Sequence, residues 1–160
     1  MTPADLAAMH CSVARTLDAI GDKWSLLIIR DAFYGLRRFD DLRKDLGVAR
    51  NILADRLGKL VDKGVLVRRQ YEERPPRYEY LLTERGRDLV GVVLAMMRWG
   101  DTWTGAGDPP VTITHTTCGH VTEPVVACSH CREELRLGEL LADPIPVFAP
   151  RKPGMLDPVA

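Results

Sequence analysis

The 160-residue sequence has no apolar run that approaches the ~18 residues of a membrane-spanning helix. Its N-terminus, MTPADLAAMHCSVAR, lacks a basic start followed by an apolar core, so it does not read as a secretory leader, and a cytoplasmic location is the expectation. Net charge is also lacking: 22 basic side chains balance 22 acidic ones, so bulk charge points to no polyanionic partner. No internal repeat is present. No nucleophile stands beside a base, no glycine-rich loop could cradle a phosphate and no carboxylate pair stands out, which makes an enzyme the weakest reading.

Ordinary globular material fills the chain. Hydrophobic residues make up 46% and charged residues 28%, a mixture that excludes global disorder. The length fits one domain, or one domain with an appendage, and can bury a core without covalent staples. Charge is unevenly placed. Residues 1–104 carry a net +3 and residues 105–160 a net −3, and the window Arg37–Arg77 holds 12 basic groups against 7 acidic ones. A compact phosphate-facing surface on a neutral protein gives such a pattern.

Periodicity sets out the elements. Val13, Leu17 and Ile20 have helical spacing after Ser12, an N-cap residue, and before Gly21. A second helix opens at Trp24 and is apolar nearly all round, so it is expected to be buried. Phe39, Leu42 and Leu46 mark a short third helix stopped by Gly47. A fourth runs from Arg50 to Lys63, with Leu53, Leu57, Leu60 and Val61 inward and Gly64 just past its end. Residues 65–71 and 78–82 flank residues 72–77, which hold Pro75 and Pro76, and read as a two-stranded hairpin around a proline turn. Thr83 caps one long apolar helix over 84–104.

A short helix, a glycine turn, an amphipathic helix and a basic hairpin follow one another in the order of a winged helix-turn-helix. The fourth helix has the two faces a recognition helix needs, one apolar and one polar. Its polar face carries Asn51, Asp55, Gly58, Lys59 and Asp62, and Arg50 stands at its start. Arg pairs bidentately with guanine and Asn with adenine. Arg37 and Arg38 open the preceding helix, where they can clamp the DNA backbone. Arg68, Arg69, Arg74 and Arg77 dress the hairpin, where a wing meets phosphates or a minor groove. The plainer alternative is a solvated helix face, since Asp55 and Asp62 oppose DNA.

Across residues 11–103 the sequence closely resembles the HxlR family of bacterial winged-helix regulators. The resemblance rests on Cys11-Ser12-Val13-Ala14-Arg15, Ile20-Gly21-Asp22-Lys23-Trp24, Arg37-Arg38-Phe39, Leu57 and Leu60 before Gly64-Val65-Leu66, Pro75-Pro76-Arg77-Tyr78-Glu79-Tyr80, and Leu82-Thr83 before Gly86. It implies a mostly α fold with a small β wing (α+β) over residues 1–104. It also implies a homodimer on a pseudo-palindromic operator of double-stranded DNA, usually repressing an adjacent gene, without catalysis. The rival reading is a winged-helix module for protein–protein contacts without specific DNA binding.

Two features bear on assembly and control. The apolar stripe of the last helix is broad for a lone helix, so Met96, Met97, Trp99 and Trp103 are candidates for a dimer interface. The alternative is that they pack on their own core. Cys11 precedes a predicted helix N-terminus, where free N–H groups and the helix dipole favour a thiolate. Some HxlR-like proteins sense oxidants or electrophiles with a cysteine at this position. The alternative is a small buried filler. An oxidant is therefore the leading effector, followed by a small hydrophobic ligand in the dimer groove.

The resemblance does not cover the chain's end. Residues 105–110 read as a linker, 111–142 as a small β-rich segment and 143–160, with five prolines, as an extended tail. Cys128 and Cys131 have zinc-knuckle spacing, and His115 and Cys118 form a matching half nine residues upstream. Four such ligands make a zinc-ribbon-like structural site, with His120 as the alternative to one of them and His130 a bystander. A hairpin without metal and a redox dithiol are the other readings, although the βαβ context of the latter is missing.

Overall fold

A computed structural model describes residues 5–105, 107–136 and 138–140. The chain divides into two compact units, Met1–Val93 and Leu94–Ala160. The proline-rich tail expected over 143–160 lies outside the described residues.

The first unit begins with a 3-10 turn, Leu6–Ala8, followed by α1 (Ser12–Ile20), α2 (Lys23–Phe33), α3 (Phe39–Leu46) and α4 (Arg50–Asp62). The antiparallel hairpin β1 (Leu66–Glu73) and β2 (Pro76–Leu82) follows, then α5 (Glu84–Arg87). The helix α6 (Val90–Trp103) spans the division between the units.

Local chemistry explains the boundaries. Asp22 caps α2, its carboxylate accepting the N–H groups of Trp24 and Ser25 at 3.0 Å each. Burial pushes this carboxyl up, but the Ser25 hydroxyl and N–H, the Arg56 guanidinium and the Trp24 N–H outweigh it and hold it below the usual range. Gly47 ends α3 at φ +59°. At the end of α4, Gly64 takes φ +69°, and the Val65 N–H reaches back to the Leu60 carbonyl at 2.9 Å. That is the Schellman closure expected of a glycine in this place.

Ile28, Ile29, Leu42, Leu53, Leu57, Leu60 and Val65 are the fully buried centre. Of the four residues expected inward on α4, Val61 alone stays half-buried. Ion pairs hold the same helices at their rims: Lys63 to Asp18 at 2.6 Å and Arg56 to Asp22 at 3.2 Å.

Two expectations are corrected here. The inward face of α1 is Ala14 and Ile20, whereas Val13 and Leu17 stand 67% and 49% exposed. The residues at 84–104 do not form one helix, because α5 stops at Arg87 and α6 starts at Val90. Gly86 is the reason. A Cβ there would lie 2.2 Å from the Val65 carbonyl oxygen, so the backbone of α5 presses directly on the start of the hairpin. Thr83 fastens it, donating to the Gly64 carbonyl at 2.6 Å and accepting the Gly86 N–H at 3.1 Å. The helix restarts at Val90 after a tight turn, with the Leu89 N–H on the Gly86 carbonyl at 3.2 Å.

The second unit contains a small antiparallel hairpin, β3 (Ile113–His115) and β4 (His120–Thr122), with His115 opposite His120. A single bridge pairs Ala127 with Glu134, and Glu134 meets Arg98 of α6 at 2.7 Å. No helix of the described residues is long and apolar enough to cross a membrane.

Candidate nucleic-acid interface

Helix α3, the Gly47-Val48-Ala49 turn and helix α4 form a helix-turn-helix, with Val48 buried beneath the turn. Neither α3 nor α4 has a side-chain cap at its N-terminus, since Arg38 and Ala49 occupy those positions without a capping bond. Their first N–H groups are therefore available to an anion. Arg50 and Asn51 lie at the exposed start of α4.

The segment before α3 is stitched to the wing. The Tyr80 N–H donates to the Arg37 carbonyl at 2.8 Å, and Arg38 bridges Glu79. Between the starts of α3 and α4 and the hairpin lies an open cleft of about 540 Å³, lined by Arg38, Phe39, Asp40, Asp41, Arg50 and Arg77 with Tyr71, Tyr78, Tyr80 and Pro76.

The predicted basic residues fall into two groups. Arg38 lies 4.8 Å from the Tyr71 ring centre and Arg68 3.5 Å from that of Tyr78. Stacking on an aromatic face holds a guanidinium without neutralising it. Arg37 and Arg74 are exposed, and neither has a carboxylate partner among the described residues. The second group is paired: Arg69 with Glu79 at 2.6 Å, Arg77 with Glu72 at 3.2 Å and Lys59 with Asp55 at 3.0 Å. Arg50 stands between the groups, 5.0 Å from the Phe39 ring centre and 3.9 Å from Asp40.

The tyrosine platforms are the functional residues that sequence reasoning missed. Tyr71 and Tyr78 read only as strand formers; Tyr71 sits at a register shift between Gln70 and Glu72 that breaks the simple alternation, whereas Tyr78, opposite Gln70, lies in the regular part of the hairpin.

The model of the HxlR-like helix-turn-helix family matches residues 19–108. The chain belongs to the HxlR family. A curated relative, an uncharacterized HTH-type transcriptional regulator of Mycobacterium tuberculosis, is 42% identical over 138 residues, 86% of this chain and 87% of that one. A regulator from Synechocystis is 39% identical over 58% of this chain and 70% of its own length. Among solved structures, PA1607, assigned as a transcription factor, matches with a TM-score of 0.78 at 37% identity, covering 87% of this chain and 98% of that one. The redox regulator HypR in its oxidized form matches with a TM-score of 0.54 at 36% identity, covering 57% of this chain and 96% of HypR. This HxlR-family chain is thus a helix-turn-helix transcriptional regulator with the winged-helix fold.

The other predicted residues are placed as follows. Cys11 is half-buried at the N-cap of α1, and its N–H donates to the Met9 carbonyl at 2.8 Å. On α6, Met96, Trp99 and Trp103 are 51%, 62% and 73% exposed, and Met97 is half-buried. His115 and Cys118 share one loop, and Cys128 and Cys131 share another. Among the described residues no three His, Cys, Asp or Glu side chains are gathered for a metal ion.

Replacing Asn51 or Arg50 with alanine is expected to weaken specific DNA binding by about 1–3 kcal/mol while leaving binding to random DNA nearly intact. Both side chains are exposed, so the melting temperature should not move. Competition anisotropy with the two DNAs reads the difference, and equal losses on both would remove these residues from base reading.

Proposed function

We propose that the protein is a sequence-specific transcriptional repressor. It acts as a homodimer on a pseudo-palindromic operator and responds to thiol oxidation at Cys11. The observation that carries this reading is the run of uncompensated arginines, Arg37, Arg38, Arg68 and Arg74, on the helix-turn-helix and wing. Arg50 and Asn51 enter the major groove from the start of α4. Arg37, Arg38 and the wing grip the flanking phosphates, while Arg69, Arg77 and Lys59 join by exchanging their carboxylate partners for phosphate.

The dimer is supported by the exposed Met96, Trp99 and Trp103 on α6. Side chains of this size rarely stand free on a monomer surface as a group. Two recognition helices must sit ~34–36 Å apart, or a multiple of it, to read successive major grooves, and a fixed dimer provides that separation. The thiol response is supported by the place of Cys11 at a helix N-cap and by the likeness to the redox regulator HypR.

Fluorescence anisotropy on the DNA upstream of the protein's own gene tests the whole reading, with random DNA as competitor, in reductant and after mild oxidation. Specific binding that oxidation abolishes and reductant restores is the expected result, and Cys11→Ser should make binding indifferent to oxidation. If oxidation has no effect on the wild-type protein, the switch is lost and the regulator stands. No preference for any candidate promoter over random DNA would favour a protein-interaction module.

A further inference from the structure

The second unit uses one backbone turn twice. In the first copy, the His115 carbonyl closing β3 accepts the N–H groups of Gly119 at 2.8 Å and Cys118 at 3.2 Å, and Gly119 takes φ +73° as β4 begins. In the second copy, the Cys128 carbonyl accepts the Arg132 N–H at 2.9 Å, and Arg132 takes φ +67°. Arg132 is the one non-glycine residue at positive φ among the described residues. A left-handed arginine is a conformation that side chains other than glycine rarely adopt, so this turn is held against its local preference. Each turn follows a β-paired residue, and each carries a metal-ligating side chain at its first and fourth positions.

The side chains of the first turn suit a metal. His115 Nδ1 and Cys118 Sγ are 3.4 Å apart. Two ligands of a tetrahedral zinc, with bonds of about 2.0–2.1 Å to nitrogen and 2.3 Å to sulfur, are separated by about 3.5 Å. The histidine and cysteine thus already span one edge of such a tetrahedron. His120 is the rival of His115: its Nδ1 lies 2.9 Å from the Cys118 carbonyl oxygen, which leaves Nε2 as the nitrogen it could offer.

We propose that these two turns are the halves of one structural site for a thiophilic divalent cation, zinc above all, ligated by His115, Cys118, Cys128 and Cys131. The backbone turn of each half is already in place, and the ion's part is to join them. The 10-residue step from Cys118 to Cys128 can stretch to about 35 Å, so chain length does not oppose closure. With four protein ligands no position is left for water, and the site is structural rather than hydrolytic. A dithiol made of Cys128 and Cys131 alone would leave the matching His115–Cys118 turn without a purpose.

The full-length protein, purified in reductant and dialysed against metal-free buffer, is expected to retain one zinc per chain. Cobalt(II) added to the stripped protein should give the intense visible absorption of a tetrahedral ion and a thiolate-to-cobalt charge-transfer band. Changing Cys118, Cys128 or Cys131 to serine, or His115 to alanine, should weaken cobalt binding at least ~100-fold. His130→Ala should leave it unchanged. The wild-type titration needs no variant to fold. Reduced wild-type protein that retains no zinc and shows only the pale spectrum of octahedral cobalt overturns the site. Loss of the band in His120→Ala with its retention in His115→Ala overturns the ligand set. A Cys128–Cys131 disulfide that forms in air, in protein that takes up no metal after reduction, overturns the proposal in favour of a redox dithiol.

Discussion

Affinity for operator DNA is expected to fall by about 10⁴-fold between ~50 and ~200 mM salt. Arg37, Arg38, Arg68 and Arg74 have no carboxylate to surrender on binding, so each can neutralise one phosphate and release its condensed counterions. A homodimer presents about eight such charges, and the logarithm of affinity should fall against the logarithm of salt with a slope near −7. Arg69, Arg77 and Lys59 already have anionic partners and add less, because each gives up an ion pair to make another. If those six side chains also counted in full across the dimer, the slope would steepen to about −13. Anisotropy titrations over a salt series decide the matter. About half the expected slope would indicate a monomer on DNA. A flat dependence, with a protein partner bound instead, would overturn the DNA reading.

Leu57→Ala should cost about 2–5 kcal/mol of folding stability. Leu57 is fully buried on α4, and α4 packs against α2 and β1. The truncation leaves a cavity that surrounding side chains cannot fill without moving two other elements. Domains of this size are stable by roughly 5–15 kcal/mol, so the loss takes a large share of the total. Urea denaturation should show a lower midpoint with an unchanged slope. DNA binding would then fall with the folded fraction, equally on operator and random sequences. That separates Leu57 from Asn51, which sits on the other side of the same helix and should alter selectivity without altering the midpoint. An unchanged midpoint would show that Leu57 contributes nothing to packing.

Much of the first unit was legible because its signals are local. The apolar rows of α2, α3 and α4, the stop at Gly64 and the proline-turned hairpin each depend on residues a few positions apart. The break after α5 was not legible, because it arises where Gly86 meets Val65, and no pattern within residues 84–104 records that approach. The exposure of Val13 and Leu17 was missed for a related reason. Their spacing shows an apolar face but not whether the same chain covers it. At the candidate interface, the sequence showed which residues are basic but not which are free. Glu72 and Glu79 claim Arg77 and Arg69 across the strands, while Tyr71 and Tyr78 carry Arg38 and Arg68, and that division depends on which residues the hairpin brings together. In the second unit the repeated His/Cys spacing was legible, but the shared turn with its left-handed fifth residue was not.

The hydrogen bond from Tyr80 to Arg37 and the bridge from Arg38 to Glu79 set how far the wing can swing. They moor β2 to the chain entering α3, so only the few residues from Pro76 to Tyr78 and their partners extend beyond the mooring. At about 3.3 Å per residue the free arm is ~10 Å long. An arm that short behaves as a caliper jaw of nearly fixed opening. Where the groove of a binding site is wider or narrower than that opening, the duplex has to make the adjustment, and its stiffness becomes part of what the protein selects.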